Sequence, residues 1–192
     1  VSGKRYAVGG AFFMAILVLP PVLRWMESSM IGVMLGQIPV LVVAGWLFGF
    51  ALPRRFIEWL NCWNENGLPG LLLAISVLTF WLLPRSVDAS LNEPLLRLAK
   101  WMMLPLLVGM PLSLSWKRLH PIARGIVHTN AISMLVVMGW LYLSVPVRVC
   151  NSYLLSQQNA LGRMMIALAI VLAAFWSLRL FVATTPNEPT TR

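Results

Sequence analysis

From Met30 to Leu52 the chain reads M-I-G-V-M-L-G-Q-I-P-V-L-V-V-A-G-W-L-F-G-F-A-L, with no charged side chain in the run. A stretch of this kind meets the ~20 residues an α-helix needs to cross about 30 Å of hydrocarbon. An isolated strand cannot satisfy its backbone in lipid, so the run is predicted to be helical. Working outward, six spans fit the apolar runs best, at 6–25, 30–52, 68–84, 94–115, 125–147 and 164–183. The predicted fold is all-α, a polytopic transmembrane helical bundle formed by residues 1–183 as one domain. A short polar tail follows at 184–192.

Composition points the same way. Hydrophobic residues make up 59% of the chain, charged residues 11%, and mean hydropathy is +0.78, too little charge for a surface facing water. An even number of spans puts both termini on one side. That side collects Lys4, Arg5, Arg54, Arg55, Lys117, Arg118, Arg124, Arg179 and Arg192, nine of the 15 basic residues. The positive-inside rule then predicts cytoplasmic termini in a bacterial inner membrane. The net charge of +9 comes from basic residues set singly or in pairs at span ends, where they anchor to headgroups. A nucleic-acid surface needs a contiguous basic patch, and none is present.

Lys4-Arg5 before the first span resembles a signal-peptide start, but the residues after the span offer no small-x-small cleavage site. An uncleaved first helix is predicted, and Val1 is read as a valine-coded start. The two cysteines, Cys62 and Cys150, fall in loops on opposite sides and are expected to stay unpaired. Between spans two and three, Phe56, Trp59, Leu60 and Trp63 recur at helical spacing, predicting an amphipathic interfacial helix at about 54–64. Its plain reading is a membrane anchor; a docking surface is the alternative.

Ionisable residues at membrane depth are functional candidates. Arg97 and Lys100 share one face of span four, close in sequence to Asp88 and Glu93, and either line a contact surface or snorkel to the interface. Met26, Met30 and Met34 recur at i, i+4 and i+8, and are predicted to form one stripe at the outer end of span two. Thioethers are soft donors suited to Cu(I), so this stripe is the candidate metal site. Methionine also fills gaps in packed interiors, and no resident cofactor is expected. Gln37, His128 and Asn130 offer a polar path for an alternative function, a small-solute or lipid transporter, although no inverted repeat supports one. With two histidines, six acids and no acid pair, Ser/His pair or ligand cluster, the chain is not expected to be an enzyme.

Three ordered stretches carry a family likeness. Ser29-Met30-Ile31-Gly32-Val33 leads to Pro39. The segment from Phe80 to Trp101 reads F-W-L-L-P-R-S-V-D-A-S-L-N-E-P-L-L-R-L-A-K-W. Ser156-Gln157-Gln158 is followed by Gly162. Together with the basic loop Arg118-Leu119-His120-Pro121-Ile122-Ala123-Arg124, this order resembles the CtaG-like cytochrome c oxidase assembly family over roughly residues 25–175. In that family the second stretch runs W-H-L-P-x-x-Y-D-x-A-L and then H-x-x-E-H. Trp81, Leu83, Pro84, Asp88, Ala89 and Leu91 fit this frame, while its metal-binding positions hold Leu82, Arg97, Lys100 and Trp101. The resemblance implies a divergent relative without the histidine copper site, which assists assembly of a haem-copper oxidase or accompanies one as an accessory subunit. Its partners would be membrane lipids and cytochrome c oxidase subunits. Asp88, Arg97, Lys100, Gln157 and Gln158 are the residues expected to line the periplasmic contact.

Overall fold

A computed structural model describes residues 2–150 and 152–184. All regular structure among them is helical. The polar tail lies outside the described residues, apart from Thr184 at the end of the last helix. Four helical stretches, Gly32–Ala51, Pro94–Trp116, Pro121–Ser144 and Leu155–Arg179, are long and apolar enough to cross a membrane, and the number rises to six if two bent pairs each count as one span. Only 11% of the Pro121–Ser144 window is buried inside the protein. The rest presents Ile126, Val137 and Trp140 outward, a surface suited to lipid.

Prolines cut the chain into its helices. Helix α1 (Ser2–Val18) ends where Leu19 takes an extended conformation (φ −56°, ψ 123°), and α2 (Pro20–Glu27) leaves at 70° to it. A residue before proline is pushed out of the α region, and proline itself suits the first helical turn. The same chemistry repeats downstream. Helix α3 (Ile38–Ala51) and the amphipathic α4 (Arg54–Trp63) precede α5 (Leu68–Leu82), and Leu83 before Pro84 then turns α6 (Pro84–Asn92) through 69°. Glu93 before Pro94 opens α7 (Pro94–Met103), and His120 before Pro121 opens α9 (Pro121–Ser144) after α8 (Met110–Trp116). The first predicted span, 6–25, is thus a bent element, whereas the third, 68–84, is the single helix α5 with the bend at its end. The sixth begins earlier than its apolar run, in α10 (Leu155–Thr184), so that Gln157 and Gln158 lie on its first turns.

Pro39 and Pro105 do not break their helices. Pro39 follows one wide π-helical turn, Gly32–Gln37, and Pro105 lies within another, Leu104–Gly109; these are closed by Ile38 N–H to the Val33 carbonyl and Met110 N–H to the Pro105 carbonyl. The wider turn absorbs the missing proline N–H without ending the helix.

Helix α3 is the central element, packed on α1, on α8 and on the 104–109 turn. Contact there is backbone to backbone. A Cβ on Gly45 would fall 2.2 Å from the Pro105 carbonyl oxygen, and one on Gly109 would fall 2.3 Å from that of Val42. Helices α9 and α10 form a hairpin closed by a similar approach, in which a Cβ on Gly162 would lie 2.8 Å from the Gly139 carbonyl oxygen. Small residues allow such close crossings in membranes. Two buried apolar clusters result, one around Leu17, Leu41, Trp81 and Leu104, the other joining Met30, Met34, Val87, Tyr142, Leu161 and Met165 across to the hairpin.

Candidate functional site at the α2–α6 end

The bends after α1 and α5 bring α2 and α6 together with the 145–154 connection at one end of the bundle. Asp88 on α6 accepts the backbone N–H of Ser152 at 2.9 Å and also the Ser152 hydroxyl. The Tyr153 hydroxyl donates to the Glu27 carbonyl of α2 at 2.9 Å, and Gln157 Nε2 approaches the Ser28 carbonyl at 3.5 Å. These bonds tie the hairpin connection to both α2 and α6.

One level deeper lies a fully buried cation. Lys100 Nζ donates to Gln37 Oε1 at 2.8 Å, and neither residue exposes any surface. The wide turn ending at Gln37 supplies the acceptor, while α7 carries the ammonium one turn beyond Arg97. Arg97 Nη2 donates to the Leu91 carbonyl at 2.9 Å, and Arg97 Nε stands 4.0 Å from Glu27 Oε1. Glu27 and Arg97 are the other charges that act on Lys100. Gln37 Nε2 and Trp81 Nε1 are buried without hydrogen-bond partners among the described residues. Lys100 therefore does not snorkel. It points into the bundle, where Gln37 at the end of the wide turn offers an acceptor.

Asp88, Arg97, Lys100 and Gln157 therefore gather at the same end, but Gln158 does a different job. It is buried, its Oε1 accepts the Val149 N–H at 2.9 Å, and its Nε2 donates to the Tyr142 and Val147 carbonyls at 3.2 and 3.4 Å. Both faces of its amide hold the chain as it leaves α9, which leaves nothing for an external contact. Glu27, Ser152 and Tyr153 join the group without having been singled out from sequence. Each sits in an ordinary-looking loop or helix end, and only the bends make them neighbours.

The methionine stripe does not form as a single line. The helix stops between Glu27 and Met30, so Met26 packs toward Leu17 and Trp81 while Met30 and Met34 enter the cluster with Tyr142 and Met165. The Met34 thioether accepts the Tyr142 hydroxyl at 3.5 Å. Among the described residues, no group of three or more His, Cys, Asp or Glu side chains is placed to hold a metal ion. Cys150 is buried with its thiol on the Pro84 carbonyl, and burial, helped by the Asp88 carboxylate, pushes its pKa up to about 11. Burial also raises the Tyr153 phenol, with Glu27, Cys150 and Asp88 adding smaller contributions.

The opposite end has its own polar ties. Asn64 donates to Ser115 Oγ at 2.8 Å and accepts the Gly70 N–H at 3.0 Å. His128 stacks on Trp116 at 5.4 Å and meets Trp176 edge-on at 5.8 Å. Gln37 belongs to the Lys100 pair, His128 to this aromatic group and Asn130 to an exposed face of α9, so the three do not line one path. No family model, no curated protein and no solved structure matches this chain.

Proposed function

We propose that the chain is a bacterial inner-membrane scaffold that assists assembly of a haem-copper oxidase, or sits beside one as an accessory subunit, and performs no catalysis of its own. One observation carries this reading. The three stretches that resemble the CtaG-like pattern are far apart in sequence, yet bonds at or beside them converge on the α2–α6 end: Gln157 reaches the carbonyl of Ser28, the residue before the first stretch, Asp88 accepts from Ser152, four residues before the third, and Lys100 donates to Gln37, between Val33 and Pro39. In our reading both termini are cytoplasmic, and this end faces the periplasm.

The residues at the family's metal positions do not fit a copper ion. Leu82 and Trp101 offer no soft donor, Arg97 and Lys100 are cations, and the Lys100 ammonium is already committed to Gln37. A fixed positive charge in a buried site also repels a metal cation. Our reading therefore rests on shape and polarity at this end, with an oxidase subunit as the partner.

The test is a reduced-minus-oxidised spectrum of membranes from a deletion strain, grown with and without added copper. Loss of the oxidase haem signal that copper does not restore is the expected result. An unchanged spectrum, together with a mild-detergent pull-down that recovers no respiratory subunit, would overturn the proposal.

A further inference from the structure

Between the α9–α10 hairpin and the rest of the bundle lies a half-enclosed cavity of about 380 Å³. Its walls include Met34, Val42, Leu78, Leu135, Met138 and Met165, and they are almost wholly apolar. One end is sealed by the cluster that joins Met34 to Tyr142 and Met165. Toward the other end, His128 stands between Trp116 and Trp176. Such a space does not hold water well, since a buried water needs two to four polar partners.

The depth of the cleft suits an acyl chain. Trp rings are enriched at the membrane–water interface, and Trp116 and Trp176 both flank His128 here. Along α9 the cleft runs from Ala131 to Met138, and at 1.5 Å per residue this is about 4.5 to 15 Å beyond His128. One leaflet of hydrocarbon is about 15 Å deep, half the usual 30 Å.

Charge at the rim selects among lipids. Lys117 lies over the Phe50 ring, Arg124 over Trp116 and Arg179 over Phe175, at 5.3, 6.0 and 4.8 Å. Arg124 is one turn from His128 on the same face of α9, and Arg179 is one turn beyond Trp176 on α10. Among the described residues no carboxylate forms a salt bridge with any of these three cations. We propose that the cleft is a lipid site, holding one acyl chain of an anionic phospholipid whose phosphate lies against Arg124 and Arg179.

The full chain reconstituted with phosphatidylglycerol bearing a diazirine near the chain middle tests this directly. After illumination, crosslinks are expected on peptides containing Met34, Leu135 or Met165, with few on the outward α9 residues Ile126 and Trp140. Phosphatidylcholine with the same chain should label the cleft more weakly, and R124Q/R179Q should erase that difference. L135W, which fills the cleft, should abolish cleft labelling while its circular dichroism matches the parent. Labelling spread evenly around α9, or cleft labelling indifferent to headgroup in the parent chain, overturns the proposal. So does recovery of a small hydrophobic polypeptide in the cleft in place of lipid.

Discussion

Lys100 Nζ meets Gln37 Oε1 at 2.8 Å with no surface of either residue exposed, so an ammonium from α7 rests on an amide from the wide turn before α3. The two partners are unequal in what their loss leaves behind. Q37L removes the acceptor and strands a buried charge, which costs about 3–5 kcal/mol. K100M removes the charge itself and leaves only a neutral amide unsatisfied, about 1–3 kcal/mol. The double variant K100M/Q37L should be more stable than Q37L alone. Unfolding in mixed detergent micelles, followed by circular dichroism, measures all three, and a double variant weaker than both singles would refute the pairing.

Glycine substitutions should separate sharply by position. G45A and G109A each drive a methyl into opposing backbone, and a cost of about 1–3 kcal/mol or more is expected. At Gly9 and Gly125 the nearest atoms to a new Cβ are side-chain carbons at 3.5 and 3.7 Å, ordinary contact distances. There alanine should be neutral or stabilise by up to about 1 kcal/mol through helix propensity. Thermal denaturation in detergent of the four variants distinguishes the two classes.

The two thiols should react very differently. Cys62 is exposed, whereas Cys150 is buried and its pKa is lifted from 9.0 to about 11. The thiolate is the reactive form, and at pH 7 about one Cys150 in ten thousand carries it. Maleimide at pH 7 should label Cys62 in the folded protein and Cys150 only after denaturation. In intact spheroplasts an impermeant maleimide should leave Cys62 unlabelled if that end faces the cytoplasm.

The same thiol sets a pH dependence. A raised folded pKa means the native state holds its proton more tightly, so the contribution of Cys150 is intact below its ordinary 9.0 and is lost as pH climbs toward 11. The raised Tyr153 phenol acts in the same direction. Stability measured from pH 8 upward should fall, and C150A should flatten part of that fall. A curve unchanged by C150A would argue against the burial described here.

Asp88 clamps the hairpin connection by accepting both the backbone and side chain of Ser152. D88A should loosen residues 145–154 and cost about 1.5–3 kcal/mol, the range for hydrogen bonds to a charged group. Limited proteolysis should cut this connection faster in D88A while leaving the helices intact.

Much of the fold is legible from the run at 30–52 alone, because lipid leaves the backbone no option but helix. The amphipathic helix is legible too, from the spacing of Phe56, Trp59 and Trp63, and it appears as Arg54–Trp63. The bends at Leu19 and Leu83 are less so: X-Pro is recognisable, but Pro39 and Pro105 look alike in sequence and are absorbed by wide turns instead. The site suffers from the same limit. Arg97, Lys100 and Asp88 stand out as charges in an apolar chain, yet whether Lys100 faces lipid or Gln37 depends on how α3 and α7 are rotated. The methionine spacing misleads because it assumes a helix that stops at Glu27.

Helices α9 and α10 pack chiefly on each other, closed by Gly139 against Gly162. During synthesis this means that the last two spans can pair as a unit after the earlier ones have settled. The clamp at Asp88 and the stack at His128 then act as two late latches. A chain interrupted before Pro121 would already contain the buried Lys100–Gln37 pair, but would lack one whole wall of the apolar cleft.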